Sequence, residues 1–166
     1  NTSVGYRSGY SVTSGVKNTI VGSETGDALT TGDFNVAIGQ HALGSDDTGN
    51  KTVAIGTESL YHQASDADED TENTAIGYAA GYTNVLGKSN TYAGFKAGYG
   101  GSGNESFNTG IGRGSLQAIT SGPQNTAVGN NSGEAITDGG QNTTIGDNAG
   151  DTITGGDYNT IIGASA

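Results

Sequence analysis

The chain has 166 residues, of which 31 are glycine, one is proline, none is cysteine, methionine or tryptophan, and 31% are apolar. That is too little bulky material for a wide globular core, and without cysteine there is neither a disulfide framework nor a thiolate metal site. Six basic against 17 acidic residues, a net charge of −11, leave no basic footprint for nucleic acid or an anionic membrane, and no apolar run is long enough to span a bilayer.

Low apolarity with high net charge describes a disordered chain unless the apolar residues recur at a fixed period. Here they do. The pattern Asn-Thr-x-(Ile/Val)-Gly starts at residues 1, 18, 35, 52, 73, 90, 108, 125, 142 and 159. Its glycines are Gly5, Gly22, Gly39, Gly56, Gly77, Gly94, Gly112, Gly129, Gly146 and Gly163, and seven of the nine intervals between them are 17 residues. Such a period marks stacked repeats, each burying its apolar side against the next. The 21-residue interval holds a four-residue insertion within Tyr61–Glu72, and the 18-residue interval has one extra residue near Gly100–Phe107. Insertions confined to one part of the repeat predict loops on one side of a rod.

Taken position by position, the first residue is Asn in nine of ten copies: Asn1, Asn18, Asn35, Asn73, Asn90, Asn108, Asn125, Asn142 and Asn159, with Thr52 the exception. Asn tolerates turn conformations, and its amide can bond the backbone or the copy one coil away. Position two is Thr in eight copies. Position four is Val4, Val21, Ile38, Ile55, Ile76, Ala93, Ile111, Val128, Ile145 or Ile162. Position eight is small, and position twelve is apolar in the regular copies (Val12, Leu29, Ile119, Ile136, Ile153). The β-branched Thr-x-Ile segment predicts a short strand, with positions two and four on one face and three on the other. The glycine after it suits a turn with positive φ or close backbone approach. Position twelve with Thr13, Thr30, Thr120, Thr137 and Thr154 predicts a second strand in each coil.

These features predict an all-β fold: a parallel β-solenoid of about ten 17-residue coils forming one repetitive segment over residues 1–166. Positions four, eight and twelve are expected to point inward. That is a thin core, so position three (Ala37, Ala54, Ala75, Ala127, with Ile20 and Ile161) is expected to face neighbouring chains in a threefold assembly. The chain opens in phase with its repeat and shows neither an initiator methionine nor a signal peptide, which reads as a fragment or processed product.

The stretches Asn73-Thr-Ala-Ile-Gly-Tyr-Ala-Ala-Gly-Tyr82 and Asn125-Thr-Ala-Val-Gly129 resemble repeats of bacteriophage tail-fibre proteins, which read approximately NTAIGYxALYSNTTGSx and also have 17 residues. Repeats in the heads of trimeric autotransporter adhesins, with an N-x-x-(V/A)-I-G core, are similar in style. The resemblance implies a homotrimeric fibre on a virion, or else a bacterial surface adhesin, contributing to host attachment through a cell-surface glycan or protein. No sequence here resembles the self-cleaving chaperone that ends many such fibres.

Other sites weigh less. Asp66, Asp68 and Asp70, with Glu69 and Glu72, resemble the start of a calcium loop, but Thr71 stands where an EF-hand needs glycine and Gly77 where it needs Glu, so a solvated loop is favoured. Tyr6, Tyr10, Tyr78, Tyr82, Phe95 and Tyr99 recur at positions six and ten, with Tyr61 also at ten. They form either a structural ladder or a strip on which sugar faces could pack. His41 and His62 lie outside the consensus, and no serine has a nucleophile-elbow context. The chain reads as no enzyme and implies no cofactor. A third function, an ice-binding plane, is suggested by the Thr column. It is disfavoured because that column would be one residue wide beside an inward-facing position four.

Overall fold

The computed structural model describes residues 1–100 and 105–166. Ten three-residue strands follow one another: β1 (Thr2–Val4), β2 (Thr19–Val21), β3 (Val36–Ile38), β4 (Val53–Ile55), β5 (Thr74–Ile76), β6 (Thr91–Ala93), β7 (Thr109–Ile111), β8 (Thr126–Val128), β9 (Thr143–Ile145) and β10 (Thr160–Ile162). They form one parallel sheet in chain order, β1 to β10. Equivalent repeat positions pair throughout, as in Ala37 on Ala54 and Ala75 on Tyr92. At about 4.8 Å per rung the sheet extends roughly 43 Å. The chain is a parallel β-solenoid, and no helix occurs among the described residues.

The Asn column holds the register. Each side-chain Oδ1 accepts from the backbone N–H of the residue one coil on: Asn18 from Asn35 (2.8 Å), Asn108 from Asn125 (2.8 Å) and Asn125 from Asn142 (2.9 Å). Up to Asn142, each Nδ2 donates to a carbonyl fourteen or fifteen residues on, as Asn18 does to Gly32 (2.7 Å) and Asn90 to Glu105 (2.8 Å). These Asn side chains are buried, and both ends of the amide are satisfied. The glycine of position five closes the strand at φ between 127° and 144°. A Cβ on Gly39 would stand 2.6 Å from the Gly56 carbonyl carbon, so only glycine permits this coil spacing.

Two expectations need correcting. Position three, not position four, points inward. Ile20, Ala37, Ala54, Ala75, Tyr92 and Ala127 are buried, whereas the side chains of positions two and four face out. A coil this narrow accepts mostly small side chains inside and leaves the branched ones to its surface. Second, among the described residues each coil has one strand rather than two. The Thr segments stack by isolated bonds, as from Thr13 N–H to the Thr30 carbonyl (2.9 Å) and from Thr120 N–H to that of Thr137 (2.8 Å), without a ladder. Positions eight and twelve do point inward: Ala42, Ala80 and Ala97 are buried, as are Leu29, Ile119 and Ile136.

Volume inside the coil is shared between positions three and nine. In three coils with a small position three (Ala37, Ala54, Gly110), position nine is a buried leucine (Leu43, Leu60, Leu116) held at φ 48–52°. In the coils of Ala75 and Ala127 it is Gly81 and Gly133, where a Cβ would meet the leucine of the coil before, Leu60 at 2.8 Å and Leu116 at 3.3 Å. Where position three is larger (Ile20, Tyr92, Thr144), position nine is Gly26, Gly98 or Gly150. The reason is contact: a Cβ on Gly98 would run into the Tyr92 ring, and one on Gly150 would stand 2.7 Å from Thr144 Cγ2. Tyr92 also reaches its neighbours, lying 3.1 Å from a Cβ built on Gly81 and 3.3 Å from one on Gly110. One ring therefore fills interior space in three coils.

Candidate functional site

The outward side chains of positions two and four make two parallel columns along the whole sheet. Neither column contains a charge in any of the ten rungs. In the outer column Ile76 is 45% exposed, Ile111 43% and Ile162 66%. The columns have a border on each side. The residue before each Asn sits at a left-handed turn (Lys17, Phe34, Lys51, Phe107 and Tyr158, φ 58–63°), and the residue after the position-five glycine forms the other edge. Phe34, Phe107 and Tyr158 stand exposed on the first border, and Tyr6, Tyr78 and Phe95 on the second. Of the fourteen large apolar side chains exposed among the described residues, twelve lie on position four or on these two borders. One side of the rod therefore gathers nearly all of its bare apolar surface.

The position-six and position-ten aromatics behave as ladders where they are consecutive. Tyr61 stacks on Tyr82 (5.7 Å, 19°), Tyr82 on Tyr99 (5.2 Å, 11°) and Tyr78 on Phe95 (5.4 Å, 20°). His62 sets its ring edge-on between Tyr61 and Tyr82 (4.7 and 4.9 Å), and Lys96 lies over Tyr99 at 4.8 Å. Stacking along the rod covers ring faces with other rings, so these residues offer edges more than the open faces a sugar packs against. Tyr6 and Tyr10 are exposed, with Arg7 over the Tyr10 ring at 4.9 Å. Glu58 beside Tyr78 raises its phenol above the usual range; burial, followed by Glu58, does the same to Tyr82.

The acidic insertion is engaged with its neighbouring coils. Asp68 accepts from Asn50 Nδ2 (2.8 Å), Asp70 pairs with Lys51, and Glu69 pairs with Lys88 (2.6 Å). Asp66 and Glu69 line a shallow open cleft with Leu86, Lys88 and Ser106. Among the described residues no three histidines or carboxylates converge as metal ligands. Part of the 18-residue repeat's extra loop, residues 101–104, lies outside the described residues.

Behind the strands, the central coils contain polar groups that the repeat pattern did not single out. Asp46, fully buried, accepts from the N–H of Gly49 (3.0 Å), the N–H of Ser65 (3.2 Å) and the Gln63 amide (2.6 Å). Gln63 Oε1 in turn accepts from Asn73 Nδ2 (2.9 Å). The signal lay at position twelve, where Asp46, Gln63 and Asn84 replace the aliphatic residues of other copies. This network is closed on itself and faces no solvent.

What distinguishes the molecule is thus an uncharged strand face with aromatic borders, rather than a cavity with converging polar groups. No protein-family model matches the chain, and neither a curated protein nor a solved structure matches it.

Proposed function

We propose that the chain is a stiff segment of a fibre of the phage tail-fibre kind, in which three copies pack along their strand faces and the rod contributes to host attachment. The observation that carries this is the uncharged strip formed by positions two and four. With its borders, the face measures roughly 43 Å by 15–20 Å, or about 650–850 Å². With its borders counted, that footprint is comparable to the roughly 800 Å² that a stable interface covers on each partner. Burying this strip would supply the second half of a core that the narrow coil interior lacks. A bacterial surface adhesin would use the same face in the same way.

An ice-binding plane is the second reading, and one observation favours it. Position four is exposed, so Thr and Ile/Val form two regular columns rather than one, and the objection drawn from the sequence no longer applies. The borders weigh against it, because Phe34, Phe107 and Tyr158 are bulky rings beside what would have to be a flat plane. Protein surfaces accommodate such rings, and interfaces are enriched in them.

Sedimentation of the purified chain tests the reading. Three 16.5 kDa chains give a species of about 50 kDa, and Ile76→Lys with Ile111→Lys is expected to release monomers that keep the β spectrum. A monomeric wild-type chain that produces thermal hysteresis would replace the fibre with the ice plane.

A further inference from the structure

Position ten carries tyrosine in three successive coils, Tyr61, Tyr82 and Tyr99, between Gly44 in the coil before and Gln117 in the coil after. The insertion separates the first two, and the extra residue of the 18-residue interval follows the third. Both breaks in the 17-residue period therefore fall beside this ladder.

Backbone bonds hold the tyrosines at successive heights. The Tyr82 carbonyl accepts from the His62 N–H (3.0 Å), and the Tyr99 carbonyl accepts from the N–H (3.3 Å) and the hydroxyl (2.7 Å) of Thr83. Of the stacked pairs, Tyr82 and Tyr99 are the nearest and the most nearly parallel, with centroids 5.2 Å apart at 11°. Both are half-buried, so their edges are open to a small diffusing oxidant. The chain has no Cys, Met or Trp, so the side chains that ordinarily absorb oxidants are missing, and the phenols take their place. The Glu58 carboxylate stands against the Tyr78 phenol and near that of Tyr82. Its charge favours removal of an electron from a neighbouring ring, and its oxygens accept a phenolic proton.

We infer that Tyr82 and Tyr99 form an oxidative cross-linking site, at which a haem peroxidase fed with hydrogen peroxide joins the two rings into a dityrosine that staples neighbouring coils. Each ring gives up one electron and its phenolic proton, leaving two phenoxyl radicals with spin on the carbons beside the oxygen. A Cε carbon of Tyr82 bonds to a Cε carbon of Tyr99, and the hydrogens on those carbons move to the oxygens and restore both phenols. In balance one C–C bond replaces two C–H bonds, and the two electrons and two protons reduce one hydrogen peroxide to two waters. The site is contained in one chain and does not depend on how copies assemble.

Dilute purified chain treated with hydrogen peroxide and a haem peroxidase tests this. Trypsin cuts after Lys51, Lys88, Lys96 and Arg113, leaving Tyr82 in peptide 52–88 and Tyr99 in peptide 97–113. The expected product joins these two peptides with the loss of two hydrogens, fluoresces as dityrosine and runs as a single chain on a denaturing gel. Its urea midpoint is expected to rise, because the link closes a loop in the unfolded chain. Tyr82→Phe and Tyr99→Phe, each checked for an unchanged β spectrum, are both expected to abolish the joined peptide, whereas Tyr6→Phe/Tyr10→Phe leaves it. A joined peptide that persists in either single variant would overturn the site. So would coupling found only between chains, or only in chain already unfolded by urea. A joined product with no rise in urea midpoint would overturn its role as a staple.

Discussion

In the coils that begin at Asn108, Asn125 and Asn142 the twelfth position is Ile119, Ile136 and Ile153, whereas in those that begin at Asn35, Thr52 and Asn73 it is Asp46, Gln63 and Asn84. The strands in front of these residues pair identically, residue on residue, in both regions. The two ways of filling the rear of the coil are therefore interchangeable as far as the sheet is concerned. One region has a dry aliphatic column. The other has a buried Asp46 and Gln63 with their donors supplied, followed by Asn84, whose Nδ2 reaches the Gly87 carbonyl while its Oδ1 meets no donor among the described residues. The insertion of Tyr61–Glu72 falls in the polar region, where the Asn50–Asp70 bridge carries the stacking past it. Register belongs to the Asn and Gly columns, and the rear of the coil is free to vary.

The comparison breaks most sharply if the two chemistries are exchanged. Ile136→Asp would bury a carboxylate among aliphatic neighbours with no donor prepared for it, at a cost of about 4 kcal/mol or more. The reverse change is also costly. Asp46→Ile strands the Gly49 and Ser65 N–H groups and the Gln63 amide, about 2–4 kcal/mol. Urea unfolding of both variants checks this; free exchange in either direction would show that the rear of the coil is not specifically packed.

A smaller effect separates the regions along the Asn column. Asn108→Ala removes the acceptor for Asn125 N–H and the donor to the Gly122 carbonyl. The expected loss is about 1–3 kcal/mol in urea. In the central region the column is already interrupted at Thr52, whose hydroxyl meets those of Thr71 and Gln63's amide instead. Thr52→Val is expected to cost less than Asn108→Ala.

The smallest effect concerns alkaline stability. Burial, aided by the nearby Glu105 carboxylate, holds the Tyr92 phenol well above its ordinary value. A phenol raised in the folded state stabilises the fold below the unfolded value near 10 and loses that contribution as pH rises toward the folded value. Thermal midpoints of the wild-type chain should therefore fall as pH rises above about 10, and Tyr92→Phe should soften the fall, with Tyr78 and Tyr82 accounting for what remains. An unchanged slope in Tyr92→Phe would show that the ring is not sealed inside the coil.

The period, the Asn column, the Gly turns and the inward position twelve were legible because each recurs along the chain: the glycine in every rung, Asn in nine of ten, and an aliphatic twelfth residue in the regular copies. Which face of the strand is buried was not. Ala37, Ala54 and Ala75 look like sites of close chain approach, and Ile38, Ile55 and Ile76 look like core, when size is read without the dimensions of the coil. Inside so narrow a turn, alanine is what fits. The left-handed turns at Lys17, Phe34 and Lys51 were also hidden, since nothing in those residue types favours positive φ. They are held by coil-to-coil bonds such as Phe34 N–H to the Val16 carbonyl (3.1 Å) and Lys51 N–H to that of Asp33 (3.0 Å). Of the candidate site, Tyr6, Tyr78 and Phe95 were visible, whereas Phe34, Phe107 and Tyr158 and the border position of all six came only with the inverted face.

Small-angle X-ray scattering of the purified chain measures mass and length together, and so tests stacking and assembly at once. Parallel coils packed on their strand faces predict a particle of about 50 kDa, three chains of 16.5 kDa, that is still only roughly 45 Å long. A 16.5 kDa rod of that length would leave the strand face without a partner, and a particle with the dimensions of an expanded coil would contradict the stacked rungs themselves.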